Sequence, residues 1–320
     1  MDKELQTPKK DYFFSASVLA SAIIIAGALI YSAGSKNNNT DGTANFLPTQ
    51  TSEIEEKVLP SQGVVLPIRW GDLGAKLVDA GVIDAERFRA IYDQRGAFTE
   101  EYESLLFGQN SGNLKITNDN AGYLLNLFWA LGLASKNPIL ESGEMANPRY
   151  GGAQNFASTG GWTIANGDPM NHYSQHQFFT LTSEQQALVD KVSRGIYRPC
   201  CGNSTHFPDC NHGMAMLGLL ELMASQGASE QEMWKTALAV NSYWFPDAYV
   251  TIATYMRGRG VEWKNVNAQE VLGINYSSSS GYARIAAQVP QPQQQNGGSG
   301  CEVGAEPTIK QRRQQGGCDI

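Results

Sequence analysis

Between residues 196 and 216 the chain reads IYRPCCGNSTHFPDCNHGMAM, which holds three of its five cysteines, Cys200, Cys201 and Cys210, and two of its four histidines, His206 and His212. Thiolate and imidazole are the donors that soft and borderline metal ions take, so these five residues suffice for a four-coordinate shell around Zn(II) or Cu(I). The spacing, C-C-x4-H-x3-C-x-H, is that of no well-known zinc motif. Two other chemistries use the same atoms. A Cys201–Cys210 disulfide would close a loop of about ten residues and stabilise the fold by about 2–3 kcal/mol. A low-pKa thiol among the three would instead serve thiol-disulfide exchange. Cys200 and Cys201 do not suit each other as disulfide partners, because adjacent Cα atoms lie only about 3.8 Å apart.

His172 and His176, in NHYSQHQFF, are spaced i,i+4 and stand as reserve ligands should their segment fold back on the cluster. No Glu follows His172, so the HExxH protease pattern is absent. Met214 and Met216 read as core filler on an apolar helix, and Glu221 as a buried carboxyl with a hydrogen-bond or ion-pair partner. The chain has no GxSxG, Walker A, strand-borne GxGxxG, CxxCH or CxxC pattern in its middle part.

The element that must position the cluster is the helix that follows it. NHGMAMLGLLELMASQG is apolar nearly all round, with Gly227 placed to end it, which predicts a buried central helix. With Asp209 or Asn211 as N-cap, Cys210 and His212 fall within about a turn of its positive end, where thiolate and neutral imidazole are favoured. Other helix signals surround it: Thr182 with Gln185 and Ser229 with Glu232 as capping boxes, Thr99 before EEYESLLF, Asn118 or Asp119 before NAGYLLNLFWALGLA, and Pro246 at a first turn. Residues 144–171, rich in Gly, Asn and Pro, predict a long ordered loop over the core. A mainly α, multi-helix globular domain over residues 64–287 follows, with little sheet.

At the N-terminus, residues 12–34 (YFFSASVLASAIIIAGALIYSAG) carry no charge and are long enough to cross a bilayer core of about 30 Å. Lys3, Lys9 and Lys10 precede this run and Lys36 follows it, so the positive-inside rule places residues 1–11 in the cytoplasm and the rest outside. The expectation is a cell-membrane protein with a single-pass transmembrane helix, a polar spacer over residues 35–63, the extracytoplasmic domain, and a disordered Gln/Gly/Pro-rich tail over residues 288–320. Outside the cytoplasm thiols tend to oxidise unless a metal protects them. Tail residues Cys301 and Cys318 can pair with each other, which leaves an odd number of thiols at the cluster. A net charge of -7, with no basic stripe, argues against nucleic acid as a partner.

Residues 198–235, RPCCGNSTHFPDCNHGMAMLGLLELMASQGASEQEMWK, resemble the extracytoplasmic, membrane-anchored proteins named for a PCYCGC motif. Pro199-Cys200, Asp209-Cys210, His212-Gly213 and the following helix with Ser229 and Glu232 carry the likeness. Cys201-Gly202 stands where that family has Tyr-Cys-Gly-Cys. The resemblance implies an extracytoplasmic cysteine and histidine cluster and no particular reaction. Three functions are therefore in view: binding or handling of a metal, thiol redox chemistry, and a disulfide-stapled structural or partner-binding domain.

Overall fold

The structure is a computed structural model, and it describes residues 48–96 and 98–289. Helix α1 (Pro48–Val58) leads into strand β1 (Val64–Gly71), then α2 (Leu73–Asp79), α3 (Ala85–Asp93), α4 (Glu100–Phe107) and strand β2 (Asn110–Ile116). After these come α5 (Ala121–Ala134), α6 (Pro138–Ser142), α7 (Ala157–Gly160), α8 (Ser183–Gly195), α9 (Asn211–Ser225), α10 (Glu230–Trp244) and α11 (Pro246–Gly258). Three short helices close the body: α12 (Ala268–Leu272), α13 (Ile274–Ser277) and α14 (Ser279–Ala286). The described domain is mainly helical, as expected.

Helices α5 and α9 are the two most apolar segments, and they form the centre. All of α5 is buried except Gly122 and Leu125, and all of α9 except His212 and Ser225. They cross where glycine faces glycine. A Cβ on Gly132 would lie 2.1 Å from the Met214 carbonyl oxygen, and one on Gly218 would lie 2.5 Å from that of Phe128. The backbones therefore touch, as only paired glycines allow. Helix α9 ends in a Schellman turn: Gly227, at φ +80°, donates to Ala224 O, and Ala228 donates to Met223 O. The capping boxes at Thr182/Gln185 and Ser229/Glu232 are both formed. Gln185 also reaches Ala224 O at 2.7 Å, which ties the start of α8 to the end of α9.

Strands β1 and β2 pair antiparallel, from Val64 opposite Ile116 to Gly71 opposite Asn110, with an irregularity between Val65 and Arg69. Pro67 sits in that irregular stretch, and without an N–H it cannot join the ladder. Leu66, Ile68 and Trp70 face the core while their neighbours face outward.

Two expectations need correction. The polar spacer of residues 35–63 does not extend over 48–58, which form α1; Ile54, Val58 and Leu59 recur at helical spacing and are buried against the body. The first buried turn of α5 is preceded by Asn120 rather than Asn118 or Asp119, and Asn120 spends its side chain on Thr117 N and Lys115 O instead of capping. Residues 1–11, the apolar run 12–34 and tail residues 290–320 lie outside the described residues. Among the described residues no helix is long and apolar enough to cross a membrane.

Residues 144–171 are ordered as a chain of short turns around α7, with 3-10 helices at Glu144–Ala146, Pro148–Tyr150, Ala153–Asn155 and Pro169–Asn171. Trp162 is fully buried and donates to Val82 O, and Trp129 of α5 donates to Ser158 O. This cover packs on the cysteine loop: Tyr150, Phe156 and Phe207 meet edge to face at 5.3–5.4 Å, and Ser158 N donates to Asp209 O.

Candidate metal centre

The chain between α8 and α9 is pinned from several sides before it reaches the sulfurs. Thr205 N donates to Ile196 O, His206 N to Ser193 O, Tyr197 N to Leu272 O, and Ser279 at the start of α14 donates to Cys201 O. These bonds fold the loop so that residues nine and ten apart in sequence meet. Cys200 Sγ lies 3.3 Å from Cys201 Sγ and 3.9 Å from Cys210 Sγ, and Cys201 and Cys210 Sγ are 3.4 Å apart. All three are free thiols; Cys210 is buried, and Cys200 and Cys201 are half-buried.

The group is a cluster that can hold a metal ion. Its three sulfurs lie on a circle of radius about 2.1 Å, just inside a Zn–S bond of about 2.3 Å, so one ion can reach all three from about 1 Å above their plane. Among the described residues no histidine or carboxylate joins the three within the same 4.8 Å span. That leaves a fourth coordination position unfilled by the grouped donors.

Cys210 itself is the N-cap of α9, with no side-chain capping bond, where Asp209 or Asn211 was expected. Asp209 is occupied elsewhere: its carboxylate accepts from Arg198 Nη2 at 2.9 Å and from Asn203 Nδ2 at 2.7 Å. Asn211 accepts from its neighbour's backbone, His212 N, at 2.8 Å. The thiol therefore stands at the positive end of a fifteen-residue helix.

The residue that sequence reasoning missed is Arg198. Its side chain has no exposed surface, only Nη2 has a partner, and Nε and Nη1 have none. It lies flat on the first turn of α9, where a Cβ on Gly213 would be 2.8 Å from its Cζ. A buried cation at the positive end of a helix is stable only beside negative charge, and the carboxylate of Asp209 meets only one face of it. The cysteines supply the rest. Hydrogen bonds from Cys200 and then Cys201 hold the Cys210 pKa well below the usual thiol value; Arg198 and His212 act in the same direction, against burial. Cys201 is pulled down by Cys200, but its bond to Cys210 and its burial outweigh this and push it up to about 12. Cys200 is raised too, first through its bonds to Cys201 and Cys210. Cys210 is thus the sulfur of the three most readily held as thiolate, beside a buried guanidinium. The signal in the sequence was a single arginine just before Pro199-Cys200 with a glycine, Gly213, opposite.

The histidines divide. His212 stands beside Cys210, wedged against Phe245 at 4.4 Å and Trp244 at 5.9 Å, with a buried Nδ1 that has no partner. His206 is turned away: its Nε2 pairs with Asp190 Oδ1 at 2.7 Å, a carboxylate that Arg194 also holds. His172 and His176 bond to each other and do not join the sulfur group. Met214 and Met216 are fully buried core residues. Glu221 is buried, accepts from Asn137 Nδ2, and burial pushes its pKa well above the usual carboxyl range. No family model, no curated protein and no solved structure matches this chain.

Proposed function

We propose that this is a membrane-tethered extracytoplasmic protein that binds and hands on one soft metal ion, Zn(II) or Cu(I), through Cys200, Cys201 and Cys210. The observation that carries the reading is the convergence of three unbonded sulfurs within 3.3–3.9 Å around a buried arginine. Structural zinc sites are closed by four protein ligands, whereas three donors with an open position suit exchange of the ion or of a fourth ligand. His212, which interacts with Cys210, is the candidate nitrogen donor for that position. Half-exposed Cys200 and Cys201 give the ion a way in. The apolar run at residues 12–34 and the likeness to the PCYCGC-motif proteins support the tether and the compartment.

The test is anaerobic purification of the full chain without affinity-tag histidines, followed by elemental analysis and a thiol count before and after chelation. At least about one equivalent of zinc or copper is expected, with three thiols that react only once the ion is removed. Less than about 0.2 equivalents, with an apoprotein that fails to take up either ion at micromolar levels, contradicts the reading.

The lowered pKa of Cys210 favours one second reading, a dithiol reductant. The Cys210 thiolate would attack a partner disulfide and release one partner thiolate. Cys201 would then give up its proton and attack Cys210 Sγ, which releases the second partner thiolate and leaves a Cys201–Cys210 disulfide. Two electrons pass to the partner. Rapid alkylation of Cys210 in the metal-loaded protein would favour this reading over the first.

A further inference from the structure

His172 and His176 lie in a loop, not a helix, and the loop is shaped so that their rings converge. His172 N donates to Pro169 O, Ser174 N to Leu133 O and His176 N to Ala134 O, which straps the segment across the end of α5. Ser174, midway between the two, is the one non-glycine residue at positive φ among the described residues, at 55°. The result is a distance of 3.1 Å between His172 Nδ1 and His176 Nε2. His172 Nε2 faces Asn166 O at 3.2 Å, and a carbonyl there takes an N–H, so the lone pair of His172 is on Nδ1. This is how metal-binding imidazoles are oriented, with the far nitrogen donating to a carbonyl.

We infer that His172 Nδ1 and His176 Nε2 form a second site, a two-imidazole chelate for a borderline divalent transition-metal ion of the Zn(II) or Ni(II) type. With metal–nitrogen bonds of 2.0–2.1 Å, a separation of 3.1 Å corresponds to an angle at the ion of about 98°. That lies between the square-planar and tetrahedral values and excludes a linear two-coordinate ion. His172 is buried and fixes the site, while His176 is partly exposed and leaves the other positions to water. Phe178 stacks on the His176 ring at 5.6 Å and limits its rotation. The site is separate from the sulfur group and stands or falls without it.

Equilibrium dialysis of the full chain against micromolar free Zn(II), with Ni(II) in a parallel series, tests this on wild type, His176→Gln, His172→Gln and a Cys200→Ser/Cys201→Ser/Cys210→Ser variant. Two equivalents are expected for wild type, and one for each histidine variant, whose weaker site loses at least about tenfold in affinity. His176→Gln changes a partly exposed ring, so a far-UV spectrum matching wild type is expected. A single equivalent lost in the cysteine variant and kept in both histidine variants overturns the inference, as does a second equivalent that survives His176→Gln. A single equivalent lost with the histidines and kept without the cysteines supports it and overturns the sulfur site instead.

Discussion

Replacing Gly132 with alanine tests whether the α5/α9 crossing sets the position of Cys210. The new Cβ would stand 2.1 Å from Met214 O and 2.9 Å from Gly218 N, both main-chain atoms that cannot swing aside. To reach ordinary contact near 3.4 Å, the two helices must separate by about 1.3 Å. Overpacking of this kind costs about 3 kcal/mol. Removal of a glycine from a helix returns about 1 kcal/mol. The net loss of about 2 kcal/mol should lower Tm by about 4–8 °C for a domain of this size. Gly122→Ala in the same helix is the control, because its Cβ would meet nothing within 4 Å, and it should raise Tm slightly. Four residues before Met214, Cys210 moves with α9, so Gly132→Ala should also weaken metal uptake while Gly122→Ala should not. Thermal unfolding with matched metal titrations reads both effects. A Gly132→Ala protein as stable as wild type, or one that binds metal unchanged despite a lowered Tm, would refute the reasoning.

Arg198→Met removes the buried cation and should cost about 3 kcal/mol, because Asp209 and the thiolate lose their partner. In pH-dependent alkylation of the metal-free protein its Cys210 midpoint should rise; an unchanged midpoint would leave the neighbouring thiols as the whole cause. Glu221→Gln should keep the bond from Asn137 and remove a pH dependence. The folded pKa of Glu221 is raised, so its favourable contribution is complete below about pH 4.3 and is lost as pH climbs toward the folded value. The variant's Tm advantage should therefore grow from pH 5 to pH 8, and a constant difference would contradict a buried neutral acid. Thr182→Ala breaks the α8 capping box and should cost about 1 kcal/mol by denaturant unfolding, with metal binding intact.

The parts of the fold that were legible in the sequence are those fixed by local chemistry. The capping boxes, the N1 proline of α11, the Gly227 stop and the all-round apolar character of α9 depend on residues within a few positions of one another. Helix α1 was obscured because its apolar residues are few among Thr, Ser and Glu, and only the body it packs on makes Ile54 and Val58 a buried face. The two-stranded sheet was hidden by Pro67 within β1 and by a partner strand, NSGNLKI, of low strand propensity. At the site, the donor types were readable and the grouping was not. His206 has a ligand's spacing, yet Asp190 on α8 claims it across a long-range fold that no local pattern records. Arg198 was invisible because its role depends on three sulfurs and a helix end brought together from different stretches of chain.

X-ray absorption at the metal edge of the loaded His176→Gln chain, which keeps only the sulfur site, addresses the central claim most directly, because it counts the atoms that touch the ion. The account predicts three sulfur neighbours at about 2.3 Å, with at most one nitrogen or oxygen neighbour at about 2.0–2.1 Å, and at most two sulfur neighbours when Cys210→Ser is added. An ion surrounded only by nitrogen and oxygen, or a protein that takes no ion while mass spectrometry finds Cys201 joined to Cys210, would contradict it.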